Sequence, residues 1–479
     1  MHTITLHTCR AYRVATMLAL ACAAALPGLC PLPTSGAATL SDFGYQNMNV
    51  NGVLASGSRP LLVILVNFAG QPPLPSPPSF FADLIFNSSR FPSFNGYFQA
   101  VSNGRFSYSN AGVIGPLALT AAETESGWPS DSLYCSNIVY KAMVSGLVNF
   151  GSFDANHDGH VTHDELAILI MNEDNVWGWR PAGIIKPAGF AYDWSGGVTV
   201  LTAQAPFAVM VEETEEGLGP IDIYGYGCGS SCCLSSGLSP QSCWIDSTSI
   251  YYLDPWNRMQ LGWCEPRIRS LTDGGIQSIP ANQYGNSTAP IILYDPVRGT
   301  NEFFILEYRT PTSPVGSGYD ANVAASGLAV WHIKQDANHN AVAVPTLDGL
   351  NFDKVVWNEG PPSFQRGTST LWGSGSVSTN LSWLGGAGTS THLHVLPYNV
   401  GNGSITVEWL SAADTWVDFN WGAPNSGTFA APYNTLAAGL AHVSYGGTLN
   451  FKTGSTHETN NIIEPMLLKA YNGPVLIGH

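Results

Sequence analysis

The chain has few charged side chains, and basic ones are especially scarce. Its 479 residues include 18 Lys and Arg against 34 Asp and Glu, which gives a formal net charge of −16. Proteins that bind nucleic acid neutralise phosphates with clustered Lys and Arg, so this composition argues against DNA or RNA as a partner. The acidic excess favours cations instead. The partner class that remains is an extracellular binding partner or a polypeptide substrate.

Beyond the first forty residues, the sequence also lacks an apolar run long enough to span a bilayer, so no transmembrane segment is predicted. The N-terminus itself has the pattern of a signal peptide. Arg10 and Arg13 precede the apolar stretch Val14–Leu26, and small residues follow at Ser35–Ala38. We therefore expect residues 1–38 to be removed and the mature protein to be secreted.

A lipid anchor on Cys22 is an alternative to simple secretion. Lipoprotein signals prefer a large aliphatic residue three positions before the modified cysteine, and Ala19 stands there. Simple secretion is the preferred interpretation.

Removal of the leader leaves an even number of cysteines, and an even set in an exported chain predicts disulfides. The adjacent pair Cys232 and Cys233, together with an oxidising compartment, argues against a zinc knuckle. The six cysteines are Cys135, Cys228, Cys232, Cys233, Cys243 and Cys264.

The length, composition and predicted elements of the chain divide it into three folded parts after the leader. A chain of 479 residues exceeds one hydrophobic core, and 51 glycines with 32 prolines favour a loop-rich fold that contains β-structure. Strands alternating with helices predict an α+β domain over residues 39–266. Short strands predict a β-rich, sandwich-like domain over 267–410. Residues 411–479 resemble the start of a parallel β-helix.

Hydrophobic periodicity predicts individual elements in these parts. For the first domain these are a strand over Leu61–Phe68, a helix around Tyr97 and Phe98 that passes through Asn103 and Gly104 into a strand, a helix over Ser132–Leu147 and a strand over Leu166–Met171. For the second they are strands over Phe303–Glu307 and Leu328–Ile333. For the third they are a capping helix over Leu436–Val443 and rungs over Thr448–Thr453, Met466–Tyr471 and Pro474–Gly478.

A twelve-residue segment, residues 154–165, matches the calcium-loop pattern D-x-[DN]-x-[DN]-G-x5-E at every defining position. Gly159 allows the sharp turn in this loop, and the apolar strand that follows predicts a static site rather than a switching helix pair. The alternative is an acidic turn without a metal. The predicted calcium donors are Asp154, Asn156, Asp158, the carbonyl of His160, Thr162 and Glu165.

The second chemical signal is an acidic helix in the stretch "VMVEETEEGLGPID". It keeps the register of the zinc-protease pattern H-E-x-x-H-x-x-G-x-x-[HD], with Glu213 at the general-base position and Asp222 at the third ligand. Both histidine positions carry carboxylates, Glu212 and Glu216. Hard oxygen ligands suit calcium, magnesium or manganese better than zinc.

Three interpretations of this helix remain open at the level of sequence. It could present a solvated acidic face, bind a divalent cation on Glu212, Glu216 and Asp222, or support a zinc hydrolase. The sequence has no histidine between His163 and His332 that could replace the missing imidazoles nearby. Serine hydrolysis has no support, because no nucleophile-elbow pattern occurs.

Several stretches in a fixed order give the chain a resemblance to the immune inhibitor A-type secreted metallopeptidases, peptidase family M six. They are "RPLLVILVNFAG", "YFQAVSNGRF", the "DANHDGH" loop, the acidic helix leading into "IDIYG", "WNRMQLGWCEP", "FFILEYR" and "GLAVWHI". The resemblance covers about Arg59 to Trp409 and implies a zincin-like metallopeptidase domain and export. It places the base at Glu213 and the acidic ligand at Asp222.

In that family two histidines bind zinc, and their positions here are Glu212 and Glu216. We therefore expect an exported calcium-binding protein with a metallopeptidase-like fold and no catalytic activity. The alternative is a secreted metal-dependent endopeptidase of the immune inhibitor A type that uses a carboxylate-rich metal site.

Overall fold

The structure is a computed structural model of the full chain. It describes residues 4–6, 37–48, 53–124, 132–173, 178–219, 251–271, 275–281, 286–296, 298–311, 319–320, 323, 326–340, 371, 382–383, 389–390, 395–401, 403–409, 415–422, 425–443, 447–462 and 466–478.

These residues form a mixed protein of a few short helices and several sheets. The helices are α1 (Pro78–Phe86), α2 (Phe94–Val101), α3 (Ala121–Thr124), α4 (Ser132–Val144), α5 (Phe207–Glu216), α6 (Pro255–Gln260) and α7 (Leu436–His442). Two short 3-10 helices cover Leu40–Phe43 and Phe150–Phe153.

The strands, in chain order, are β1 (Ile4–Leu6), β2 (Gly57–Asn67), β3 (Phe106–Ala118), β4 (His160–Thr162), β5 (Ala167–Asn172), β6 (Gly178–Ile185), β7 (Asp193–Thr202), β8 (Arg267–Ser270), β9 (Gly275–Pro280), β10 (Ile291–Tyr294), β11 (Glu302–Arg309), β12 (Gly327–Lys334), β13 (Ser382–Trp383), β14 (Thr389–Ser390), β15 (Val395–Gly401), β16 (Ser404–Trp409), β17 (Thr415–Val417), β18 (Thr448–Thr456) and β19 (Leu467–Ile477).

The first sheet is parallel except at one edge. β2 pairs in parallel with β3 on one side and β5 on the other, and β5 pairs in parallel with the second half of β7. β4 pairs with the first half of β7 on the same side, while β6 runs antiparallel along the opposite side of β7. The antiparallel β6 is therefore the edge strand next to the strand that leads into α5.

Alternation along β2 explains how this sheet is buried on both faces. Leu61, Val63 and Leu65 face a core that also contains side chains of α1, α2 and α5. Leu62, Ile64 and Val66 face a second core, built with α4. Because successive side chains of a strand point to opposite faces, a run of apolar residues such as this belongs in the middle of a covered sheet.

The elements predicted for this region are confirmed, and each observed element extends or shortens the prediction by a few residues. The predicted strands correspond to β2 and β5, and the predicted helices to α2 and α4. The turn before β3 uses positive φ at Asn103 and Gly104, 55° and 74°. These local signals were strong because turn chemistry and apolar period agreed.

The part of the chain from β8 to β16 is rich in strands, as predicted. β8, β10, β11 and β12 form one sheet, and β9, β16 and β15 form another. Both sheets contribute to one hydrophobic core, for example through Leu306 of β11, Val330 of β12 and Val407 of β16. The predicted strands Phe303–Glu307 and Leu328–Ile333 lie within β11 and β12.

A buried group of charges joins α6 to the first of these two sheets. Arg258 of α6 pairs with Glu307 of β11, and all atoms of both side chains are inaccessible to solvent. Arg309 donates to Glu307 at 2.8 Å and to both oxygens of Asp320 at 2.7 and 2.8 Å. Burial raises the pKa of Asp320, and Arg309 opposes that shift. Each of these buried charges therefore needs its partners, because burial of an unpaired ion costs free energy.

The C-terminal sheet consists of parallel strands with one antiparallel edge. β17, β18 and β19 pair in parallel, and β1 pairs antiparallel with the end of β19. The predicted helix is present as α7. The prediction of separate rungs at Met466–Tyr471 and Pro474–Gly478 is wrong, because β19 continues through both. Its pairing with β18 shifts register between Lys452 and Gly454 and then resumes, so the two predicted rungs are parts of one irregularly paired strand.

Two of the six cysteines predicted to form disulfides lie in the described part of the chain. Cys135 and Cys264 are buried thiols. Cys135 lies on α4 in the core below the first sheet, whereas Cys264 follows α6 in a different core, so apolar packing surrounds each of them. Burial raises the pKa of Cys264 to about 12. The other four cysteines after residue 38 lie outside the described residues.

The N-terminal segment, residues 37–48, packs on the strand-rich part of the chain. Phe43 is fully buried and contacts the rings of Tyr294 and Phe303 edge-on, at 5.3 and 5.0 Å between centroids. Backbone bonds from Gln46 and Met48 to the end of α6 continue the attachment. Apart from β1, the predicted signal peptide lies largely outside the described residues. In the described part of the chain, no helix is long and apolar enough to cross a membrane.

Candidate calcium loop and acidic helix

The twelve-residue loop, residues 154–165, connects the 3-10 helix Phe150–Phe153 to the sheet. It contains β4 and ends just before β5, so a strand follows it, as predicted. Two residues in the loop adopt positive φ, His157 at 61° and Gly159 at 83°. Glycine tolerates that conformation at little cost, which explains its place at the sixth position of the pattern.

Side-chain oxygens fold the first half of the loop around its own backbone. Asp154 accepts from the N–H groups of Asp158 and Gly159 at 3.1 and 3.0 Å. Asn156 accepts from the N–H of Asp158 at 3.0 Å, and Asp158 accepts from that of His160 at 2.8 Å. These bonds hold three of the predicted donors against the backbone of the loop.

Glu165 closes the loop from its other end. One carboxylate oxygen accepts from the N–H of Ala155 at 3.0 Å, across ten positions. The second oxygen accepts from the N–H and the hydroxyl of Thr162 at 2.9 and 3.1 Å. The twelfth residue of the pattern therefore reaches back to the second, which is the closure that a bidentate calcium ligand requires.

A second loop with the same first four residues, and with Asn340 at the fifth position, provides an internal comparison. Asp336 accepts from the N–H groups of Asn338 and Asn340, and His339 has a φ of 62°. Ala341 stands where the calcium pattern has glycine, and Leu347 stands where it has glutamate. The turn of the first five residues thus forms without the rest of the pattern. What distinguishes the twelve-residue loop is its glycine and its closing Glu165.

The side chain of His160 points away from the loop to a carboxylate of β7. Its Nδ1 lies 2.9 Å from both oxygens of Asp193. The hydrogen bond to Asp193 and its charge raise the pKa of His160. The predicted calcium donor at this position is the backbone carbonyl, not the imidazole that binds Asp193.

An ion pair anchors the end of the loop to the first sheet. Arg59 of β2 contacts Asp164 at 2.6 Å, and both side chains are almost completely buried. Burial raises the pKa of Asp164, and Arg59 counteracts that shift. The loop is therefore fixed to the sheet at a residue that the sequence pattern does not assign.

The acidic helix is α5, and its carboxylates differ in exposure. Glu212 is 7% exposed, whereas Glu213 and Glu216 are half-buried. The interpretation as a wholly solvated acidic face is therefore wrong for Glu212. Asp222, the predicted third ligand, lies outside the described residues.

Sequence reasoning missed the carboxylate that the helix buries most deeply. Glu215 is fully buried and accepts a hydrogen bond of 3.0 Å from the hydroxyl of Tyr97 on α2. Burial and the charge of Glu215 raise the pKa of Tyr97 well above its ordinary value. Helical spacing places Glu215 on a different side of the helix from Glu213, which could have indicated an inward position.

His163 connects the loop to the acidic helix. Its ring is 3% exposed, and Nδ1 donates to the carbonyl of Gly197 at 3.2 Å. The ring meets Trp179 of β6 edge-on at 4.8 Å. Burial, with a contribution from Arg59, lowers the pKa of His163 to about 3, so the ring is neutral at physiological pH.

Trp179 in turn covers the end of the acidic helix. A Cβ at Gly217, the residue after α5, would come within 2.6 Å of the indole, and a Cβ at Gly197 would overlap it. Because neither glycine has a side chain, the indole of Trp179 fits between β7 and the end of the helix. The backbone of Gly217 also lies beside the ring of His163.

Within the described residues, no three His, Cys, Asp or Glu side chains converge as a ready-made metal group. The carboxylates of the twelve-residue loop instead bind N–H groups of the loop. Three of its six predicted donors are not carboxylates but an asparagine, a threonine and a backbone carbonyl.

Comparison of the chain with models of known protein families and with curated proteins found no match.

Proposed function

We propose that this chain is an exported calcium-binding protein with a metallopeptidase-like fold that does not hydrolyse peptides. The observation that carries the calcium assignment is the position of Glu165. Its carboxylate returns to Ala155 and Thr162 and closes a loop whose other donors are all hard oxygens. Calcium prefers six to eight oxygen ligands of this kind.

The proposed zincin-like fold is supported by the arrangement around the acidic helix. A largely parallel sheet ends in the antiparallel edge strand β6, and the strand next to it leads into α5. Trp179 of that edge strand packs against the end of the helix. The edge and the helix therefore border the same region of the domain, where a metallopeptidase would bind an extended polypeptide.

The absence of peptidase activity is proposed from the donor chemistry of the helix. Zinc hydrolases use neutral imidazoles, so that the charge of the metal lowers the pKa of its bound water. Glu212 and Glu216 stand at those positions and do not fit zinc. A harder divalent cation fits these carboxylates better, with Asp222 as a further donor.

Calcium titration of the purified, chelator-stripped secreted protein tests the proposal. We expect one site at the twelve-residue loop, with a dissociation constant of about 0.1–1 mM, as in extracellular calcium modules. Glu165→Gln removes the bidentate ligand and should abolish this site. Asp336→Asn changes the similar but incomplete loop and should leave it unchanged. Equal calcium binding by wild type and Glu165→Gln would contradict the assignment.

The second candidate function is a metal-dependent endopeptidase with a carboxylate-rich site. It is favoured by one observation: Glu213, at the general-base position, is only half-buried and so has access to solvent. Assays against an unfolded protein substrate, with zinc, manganese or calcium added in turn, separate the two functions. Activity in the wild type that disappears in Glu213→Gln would establish the peptidase. No activity with any of the metals supports the binding protein.

Two further parts of the proposal concern location and the C-terminal segment. Export rests on the leader pattern, and mass analysis of the secreted chain would show a start near residue 39 rather than at Cys22. The β-helix-like character of residues 411–479 is supported by the parallel pairing of β17, β18 and β19. That segment and the acidic helix are the proposed surfaces for an extracellular partner.

A further inference from the structure

Three residues form a continuous contact from the twelve-residue loop to the last turn of the acidic helix. They are His163 in the loop, Trp179 on β6 and Gly217 at the end of α5. We propose that calcium in the loop fixes the last turn of the acidic helix through these contacts. This inference rests on the calcium assignment above and adds a regulatory role to it.

The position of His163 in the loop provides the first step. It follows Thr162 and precedes Glu165 by two residues, so two predicted calcium donors flank it. The turn is already closed by backbone bonds from Glu165 and Leu166 to the carbonyl of Thr162. A metal held by Thr162 and Glu165 restricts this turn further, and the His163 side chain moves only with its backbone.

Tight packing provides the second step. A Cβ at Gly196 would lie 2.8 Å from Cβ of His163, so the strand below leaves the imidazole no room to shift. The hydrogen bond to the carbonyl of Gly197 fixes the orientation of the ring. Trp179 is then held between His163 and the backbone of the helix end. Closely packed groups transmit a displacement rather than absorb it.

The third step connects Trp179 to the carboxylates of the acidic helix. Gly217 directly follows Glu216, and its N–H bonds to the carbonyl of Glu215. Displacement of Trp179 therefore acts on the backbone that sets the direction of Glu216. Helix ends open more readily than helix centres, so a small contact decides how often this turn unwinds.

Hydrogen exchange of the full-length secreted protein, with calcium and with a calcium chelator, tests the coupling. In the wild type we expect calcium to slow exchange of the amides of Glu215–Gly219 by about tenfold. In His163→Ala the loop should still bind calcium, but the response of the helix should fall to less than about twofold. His163→Phe keeps a ring against Trp179 and should retain the response.

A control within the same loop is His157→Asn, which tolerates the positive φ of that position and lies outside the contact. It should behave like the wild type. The coupling is refuted if the loop of the wild type binds calcium while exchange at the helix end stays unchanged, or if His163→Ala responds as strongly as the wild type. Absence of calcium binding in the wild type would instead refute the calcium assignment, and titration detects that separately.

Discussion

The hydroxyl of Tyr97 donates a hydrogen bond of 3.0 Å to a carboxylate oxygen of Glu215, and both side chains are fully buried. The two residues are 118 positions apart and belong to different helices, α2 and α5. This bond gives a buried carboxylate one of its partners and fastens the acidic helix to the core.

Loss of the Tyr97 hydroxyl should destabilise the protein more than loss of an ordinary buried hydroxyl. For Tyr97→Phe we expect a decrease of about 1–3 kcal/mol in the free energy of unfolding, because a buried charged acceptor loses a donor. Urea denaturation measures the change. Tyr319→Phe is the matched control, since that hydroxyl donates to the neutral carbonyl of Ser93 at 3.2 Å. A greater loss for the control would contradict the role given to Glu215.

Calcium removal should lower the thermal stability of the first domain. A ligand that binds only the folded state adds about 2.7 kcal/mol when its concentration is a hundred times the dissociation constant. We therefore expect the unfolding temperature of the wild type to fall on addition of a chelator. In Asp154→Asn the chelator should leave the unfolding temperature unchanged. Asp336→Asn should keep the full response. Calorimetry with and without calcium gives the answer, and a response in Asp154→Asn equal to that of the wild type would locate the ion elsewhere.

Glu123 should titrate at unusually low pH. The N–H of Thr120, the ammonium of Lys141 and the hydroxyl of Thr120 lower its pKa from 4.5 to about 2. A carboxyl whose pKa is depressed by folding stabilises the folded state above pH 4.5, and that contribution disappears as the pH falls toward 2. The stability difference between wild type and Glu123→Gln should shrink over the same interval.

Carbon NMR of the Glu123 carboxyl measures this pKa directly. Lys141→Met should raise the pKa only in part, because the largest cause, the N–H of Thr120, remains. A wild-type pKa near 4.5 would show that the capping geometry does not persist in solution.

Arg309 should be indispensable for folding. Its guanidinium compensates Glu307 and Asp320, and all three are completely or almost completely inaccessible to solvent. Arg309→Met leaves two buried carboxylates with fewer partners and should cost about 3–5 kcal/mol. Soluble yield and urea denaturation report the loss. Arg90→Met, which breaks the exposed pair with Asp83, should change stability by less than about 1 kcal/mol.

The elements with strong local signals could be predicted from the sequence. The apolar run of β2 required burial on both faces, and the turn at Asn103 and Gly104 required residues that tolerate positive φ. The calcium pattern predicted a loop that does close through Glu165. The recurrence of Asp-Ala-Asn-His at residue 336 was visible in the sequence and was missed.

Other features depend on contacts between distant residues and could not be predicted. Four carboxylates in five residues do not reveal which one turns inward, because the partner of Glu215 lies 118 positions earlier. The sequence predicts separate rungs over Met466–Tyr471 and Pro474–Gly478, yet β19 continues through both because pairing with β18 resumes. Cys264 is a thiol in an apolar core, and its environment includes Phe43 from the far end of the chain.

The attachment of the N-terminal segment determines when folding of the protein can be completed. Phe43 needs the rings of Tyr294 and Phe303, and Asn47 donates to the carbonyl of Asn338, 291 positions later in the chain. The ribosome delivers these partners in chain order, so Phe43 and Asn47 must wait for residues of the second half of the chain. Contacts of such long range fold slowly. The chain therefore cannot complete this attachment until residue 338 has been synthesised.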